Sequence, residues 1–78
     1  MKYRVYVFFK NGILDPEAEA IKKTLHTSGF KKIKSLTKGK FFDIDTSGKN
    51  SKDEISSLSE KILSNPIIEN FKIKKIDN

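Results

Sequence analysis

A chain of 78 residues has room for a single domain over 1–78 and excludes a catalytic domain joined to a separate binding domain. It carries no cysteine and one histidine, which excludes a disulfide framework and any zinc centre of ordinary composition. Sixteen basic residues against ten acidic ones leave a net charge of +6, yet Arg4 is the sole arginine. The cations are therefore almost all lysine, a solubilising point charge, rather than the planar fork that reads phosphates and bases.

Ile, Leu, Val and Phe make up 23 of the 78 residues, above the roughly 20% below which disorder is expected. At this length only about 60% of the unfolded chain's surface can be buried, and partner chains often supply the rest. The basic excess lies in residues 1–40, with ten cations and three acids, whereas 41–78 hold six and seven. The start MKYRVYVFFKNGILD lacks the apolar stretch of a secretory signal. No run approaches the roughly 18 apolar residues of a membrane span. A cytoplasmic protein without membrane contact is expected.

Along the chain, Lys2–Phe9 alternates Tyr3, Val5, Val7 and Phe9 with Lys2, Arg4, Tyr6 and Phe8, a strand pattern rich in β-formers. Asn11-Gly12 breaks it. Asp15-Pro16-Glu17 opens a helix, with Asp15 as cap and Pro16 at the first helical position. Ala18, Ile21 and Leu25 form one apolar stripe, and Gly29 ends the helix. Lys32–Lys38 reads as a second strand, Gly39 as a tight turn or bulge and Lys40–Asp45 as a third strand. After a polar loop over Ser47–Ser51, a capping box Ser51-x-x-Glu54 starts a second helix with the stripe Ile55, Leu58, Ile62. Asn65-Pro66 ends it, and Ile67–Ile76 reads as the last strand.

The expected fold is thus α+β, a two-layer α/β sandwich of β-α-β-β-α-β order. Two helices would lie on one face of an antiparallel sheet in the ferredoxin-like arrangement. The other sheet face would be open. Tyr6 and Phe8 fall on it, although open faces of antiparallel sheets are usually polar. The simplest cover is a second copy, so these two residues predict a homodimer, or a tetramer built from one.

Catalytic constellations are scarce. His26 falls off the helical stripe and reads as exposed and incidental. Asp43 and Asp45 share a strand face and read as solvated, although such a pair could bind a divalent cation. No G-x-S-x-G, G-x-G-x-x-G or P-loop occurs. Lys38-Gly39-Lys40 offers two ammonium groups near a permissive backbone, which suits either a phosphate or an ordinary hairpin. The element order is also that of the RNA-recognition motif, and RNA binding is the alternative reading. Lys38, Gly39 and Phe42 match its third-strand pattern, but Lys40 replaces a stacking aromatic and Asp43 and Asp45 add negative charge. No nucleic acid is expected as partner.

Three segments together resemble the PurS family, the small subunits of phosphoribosylformylglycinamidine synthase. They are Asp15-Pro16-Glu17, Lys38-Gly39-Lys40-Phe41 and Leu63-Ser64-Asn65-Pro66-Ile67-Ile68-Glu69-Asn70-Phe71. The likeness covers nearly the whole chain, and its N-P-[VI]-I-E-[DN]-[YF] run is the most specific part. Ala18 stands where the family commonly has Gly, and Thr37 where an Arg precedes the Gly-Lys turn.

The resemblance implies a non-catalytic assembly subunit of an ATP- and glutamine-dependent carbon–nitrogen ligase. Such a chain bridges a PurL-type synthetase subunit and a PurQ-type glutaminase subunit. The complex uses ATP, Mg2+ and glutamine, none of them expected on this chain. Partner contacts are expected from Lys38, Gly39 and Lys40, and from Leu63, Asn65, Pro66 and Glu69. Leu63 lies about 120° from the centre of its helix's apolar stripe, counting 100° per residue.

Overall fold

The alternation of Lys2–Phe9 builds a central strand, β1, with one apolar side. The computed structural model describes residues 1–47 and 51–76. Strands β2 (Gly39–Asp45) and β3 (Glu69–Lys75) flank β1 antiparallel, in the order β2-β1-β3. Residues opposite one another share a face, so the register stacks the apolar positions. Val5 lies between Phe42 and Ile73, Tyr3 opposite Ile44, and Val7 opposite Phe71.

Helix α2 covers this inner face. It runs Ser51–Leu58 and continues as a π turn over Ser59–Leu63. Ile55 from α2 joins Tyr3, Val5 and Val7 in a buried cluster, with Leu58, Leu63 and the flanking strand residues packed around it. Val5, Val7 and Ile55 are essentially inaccessible, and each such burial contributes about 1.5–3 kcal/mol. The π turn closes with the Ser64 N–H donating to the Ser59 carbonyl at 3.0 Å. A π turn inserts one residue into the helical count, so the apolar stripe shifts. Leu63 packs on the core and Ile62 is 77% exposed. The expected stripe Ile55–Leu58–Ile62, and with it an outward-facing Leu63, is corrected accordingly. Ser59, at the junction, is fully buried, and its Oγ has no hydrogen-bond partner among the described residues.

Helix α1 spans Pro16–Thr27. The Asp15 carboxylate accepts from the Glu17 and Ala18 N–H groups at 3.1 and 3.2 Å, satisfying two donors that the first turn leaves over. Gly29, at φ +105°, turns the chain, and the Phe30 N–H returns to the Leu25 carbonyl at 2.9 Å. The α1 stripe does not join the core, contrary to expectation. Ala18 is buried, Ile21 is 39% exposed and Leu25 is half-buried, and none of the three belongs to the core cluster. The molecule is elongated to match. It measures 49 × 31 × 14 Å, with a radius of gyration of 15.9 Å, against about 11–12 Å for a compact chain of this length.

The expected strand over Lys32–Lys38 does not form; residues 33–38 run without regular structure. Ile33 and Leu36 are three apart, which fits no alternating face, and the Ile33 carbonyl is taken by His26. The α+β class, antiparallel sheet and pair of helices stand, with the second strand position filled by this unpaired segment. Residues 48–50 of the expected polar loop, and the Ser51 side chain of the expected capping box, lie outside what is described. No helix among the described residues is long and apolar enough to cross a membrane.

Candidate functional site

The first two distinctive segments meet in space. Lys38 Nζ lies 3.2 Å from Asp15 Oδ2 and 3.6 Å from Glu17 Oε1, tying the start of β2 to the N-terminus of α1. Partial burial pushes the Asp15 carboxyl up, but the Ala18 N–H, Lys38 and the Glu17 N–H together bring it below the ordinary range. The hydrogen bond to Asp15 raises Lys38 in turn. Gly39 lies beside Phe8 in the β1–β2 register, and a Cβ there would come 2.5 Å from the Val7 carbonyl oxygen. The residue is needed for this close approach. Lys38-Gly39-Lys40 is therefore the entry to β2 rather than a hairpin tip. Lys38 is committed to two carboxylates, and Lys40 Nζ lies 5.8 Å from the Phe42 ring centroid. Beside these residues opens a cleft of about 910 Å³, walled by Phe8, Phe9, Leu14, Leu36 and Phe41.

The third segment is a self-bonded turn. The Asn65 carbonyl accepts from the Ile68 and Glu69 N–H groups at 3.1 and 2.7 Å. Its side-chain Oδ1 accepts from the Ile67 N–H at 3.1 Å, and the Asn65 N–H donates to Glu69 Oε1 at 2.7 Å. Asn65 and Glu69 thus hold the chain reversal between the π turn and β3, while Pro66 blocks helix continuation. Leu63 faces the core. The apolar groups this end presents are Ile62 and Ile67, 77% and 80% exposed.

The open face of the sheet carries Tyr6 and Phe8 as expected, joined by Phe41 across from Tyr6. Phe8 is 39% and Phe41 55% exposed. The Tyr6 and Phe41 rings lie 6.4 Å apart at 54°. Arg4 makes two parallel hydrogen bonds to Asp43, Nε to Oδ1 at 2.7 Å and a terminal nitrogen to Oδ2 at 3.0 Å. This hydrogen bonding lowers the Asp43 carboxyl below its ordinary range and raises the guanidinium. The same guanidinium stacks over Phe41 at 4.5 Å. Asp43 and Asp45 therefore do not act as a pair: one is bound by Arg4, and the other lies 3.9 Å from the Met1 ammonium. Among the described residues no group of three or more His, Asp or Glu side chains could hold a metal ion.

His26 is not the incidental surface group expected. It is half-buried, and its Nε2 lies 2.7 Å from the Ile33 carbonyl. A carbonyl only accepts, so Nε2 carries the proton. The ring clasps the 30–36 segment to α1. Neither this clasp nor the Arg4–Asp43 pair could be read from spacing, because each depends on a chain path or a strand register.

The comparisons with known proteins agree with one another. The family model "PurS: Phosphoribosylformylglycinamidine (FGAM) synthase" matches residues 2–77. The chain is similar to phosphoribosylformylglycinamidine synthase subunit PurS of Archaeoglobus fulgidus, with 39% identity over 88% of this chain and 90% of that one. The crystal structure of Methanocaldococcus jannaschii PurS superposes with a TM-score of 0.83, at 32% identity and covering 97% of this chain and 98% of that one. A chain of the PurLQS structure from Thermotoga maritima shares the fold, with a TM-score of 0.77 at 24% identity over 96% and 95% of the two chains. None of these supports the RNA-binding alternative. This chain belongs to the PurS family, the small subunits of phosphoribosylformylglycinamidine synthase.

Proposed function

We propose that this chain is the non-catalytic assembly subunit of its synthase, acting as a homodimer in the cytoplasm. It bridges a PurL-type synthetase and a PurQ-type glutaminase while ATP, Mg2+ and glutamine act on those larger subunits. The observation that carries the reading is the identity with a curated PurS subunit along 88% of the chain. The use of the polar groups supports it. Asp15 pairs with Lys38, Arg4 with Asp43, and His26 with a backbone carbonyl, so these groups fix the fold. The T. maritima assembly, named PurLQS, supplies the partner classes. A bridging subunit would hold the two active sites in one orientation, so that ammonia passes between them before water protonates it.

Lys38, Gly39, Lys40, Asn65, Pro66 and Glu69 then act on partners by shaping two surfaces, the cleft at the α1 N-terminus and the turn that presents Ile62 and Ile67. The test is reconstitution. Tagged chain should retain both larger subunits and restore glutamine-dependent amidation, and should release no ammonia from glutamine by itself. Full glutamine-dependent activity of the larger subunits without this chain would overturn the reading.

A further inference from the structure

Asn11 and Gly12 lie between β1 and the Asp15 cap, in the loop that walls one side of the cleft of about 910 Å³. They form the corner of a turn that the Ile13 N–H closes on the Lys10 carbonyl at 3.2 Å. Both residues are exposed. Gly12 takes φ +86°, a left-handed value that favours glycine, and nothing stands within 4 Å of where its Cβ would be. Among the described residues the Asn11 side-chain amide has no hydrogen-bond partner, and the Gly12 N–H donates to none.

An uncommitted side-chain amide followed by an uncrowded backbone nitrogen is set up for cyclisation. The asparagine side-chain carbonyl carbon and the next residue's nitrogen are the two ends of a five-membered ring. A Cβ on that next residue crowds the ring and restricts the backbone rotation that closes it, and glycine does neither. The other described asparagines lack these conditions. Asn65 precedes Pro66, whose nitrogen carries no proton, and its Oδ1 accepts from the Ile67 N–H. Asn70 lies in β3, paired with Phe8 and followed by Phe71.

We propose that Asn11 is a site of spontaneous deamidation, a slow covalent change in the cleft wall that needs only water. The Gly12 nitrogen attacks the Asn11 side-chain carbonyl carbon. That carbon–nitrogen bond forms, and the bond from the same carbon to Nδ2 breaks. Nδ2 leaves as ammonia, taking the proton that the Gly12 nitrogen gives up. Water then opens the cyclic imide at either carbonyl. Opening at the side-chain carbonyl gives aspartate at position 11, and opening at the main-chain carbonyl gives isoaspartate. Nothing is oxidised or reduced. Either product adds a carboxylate next to Lys10 and lowers the net charge of +6 by one. Isoaspartate also adds one atom to the main chain, inside the turn between β1 and the α1 cap. The change is independent of the assembly role and acts on one of the two surfaces assigned to it.

Peptide mass spectrometry on the full chain, incubated in heavy-oxygen water at mildly alkaline pH, tests the site. The Asn11 peptide should take up label and yield both aspartate and isoaspartate, at least tenfold faster than the Asn65 and Asn70 peptides convert. The folded chain should convert at no less than about one-tenth of its rate in urea, because exposed turns open at little cost. Asn11→Gln should abolish the labelled product with circular dichroism unchanged, since glutamine must close a slower six-membered ring. An Asn11 peptide that converts in urea but stays unlabelled in the folded chain would overturn the proposal, because the fold would then hold the amide away from Gly12. Equal conversion at Asn65 or Asn70 would also overturn it. Aspartate without isoaspartate would mean direct hydrolysis, and the attack by Gly12 would be wrong.

Discussion

Among the described glycines, Gly39 is the one where an added methyl group meets resistance, because the nearest atom is a backbone oxygen. A Cβ at 2.5 Å from the Val7 carbonyl and 3.2 Å from Phe8 Cβ forces the β1–β2 pair apart at its first rung. Gly39→Ala should destabilise the chain by about 1–3 kcal/mol, the usual range for overpacking, measured by urea unfolding. The π turn makes a second prediction at single residues. Leu63→Ala should cost about 1–3 kcal/mol, below the full core range because Leu63 is only half-buried. Ile62→Ser should fall within about 0.5 kcal/mol of wild type, as exposed substitutions do. The reverse order would mean that the helix keeps a regular α phase.

Between elements, two ion pairs connect what hydrophobic contact leaves loose. Arg4–Asp43 clips β1 to β2, and Lys38 ties β2 to the start of α1. Asp43 and Asp15 titrate below the ordinary carboxyl range in the folded chain. Their stabilisation is present above the unfolded value of about 4 and is lost as the pH falls through the lower folded values. Lys38, raised in the folded state, contributes at neutral pH and loses its part only as the pH climbs beyond the ordinary lysine range of about 10.4. Thermal melts from pH 7 to 2 should show a steep acid limb that Asp43→Asn flattens; equal slopes would mean that the pair adds nothing. The strands and helix starts were legible because local chemistry decides them, as with the alternation in Lys2–Phe9 and the Asp15-Pro16 cap. The Lys32–Lys38 strand was misread because its backbone partner is the His26 side chain, a contact spacing does not reveal. The Ile62–Leu63 exchange was equally hidden, since a π turn leaves no periodic signature. Tyr6 and Phe8 fall on the expected face, since strand parity alone determines it, whereas the bond between Asn65 and Glu69 depends on a chain reversal that spacing does not reveal.

For the whole molecule, the question is which apolar surfaces the fold leaves uncovered. The inner face of the sheet is covered by α2, and the open face carries Tyr6, Phe8 and Phe41. At the far end of α2, the turn over residues 65–69 is made rigid by its own hydrogen bonds. It presents Ile67 at 80% exposure, and the preceding π turn leaves Ile62 77% exposed. Isoleucines carried on hydrogen-bonded backbone, one in the π turn and one in the turn after it, lose little backbone freedom when another surface covers them, which favours their use in assembly. Ile62→Asp/Ile67→Asp should therefore fold and dimerise as the wild type does, because neither side chain belongs to the core cluster. In a reconstituted synthase it should lower glutamine-dependent amidation tenfold or more, while added ammonium salt, which needs no transfer between subunits, supports the wild-type rate. Full glutamine-dependent activity in the doubly substituted chain would place the assembly surface elsewhere, with the cleft beside Lys38 and Gly39 next to be tested.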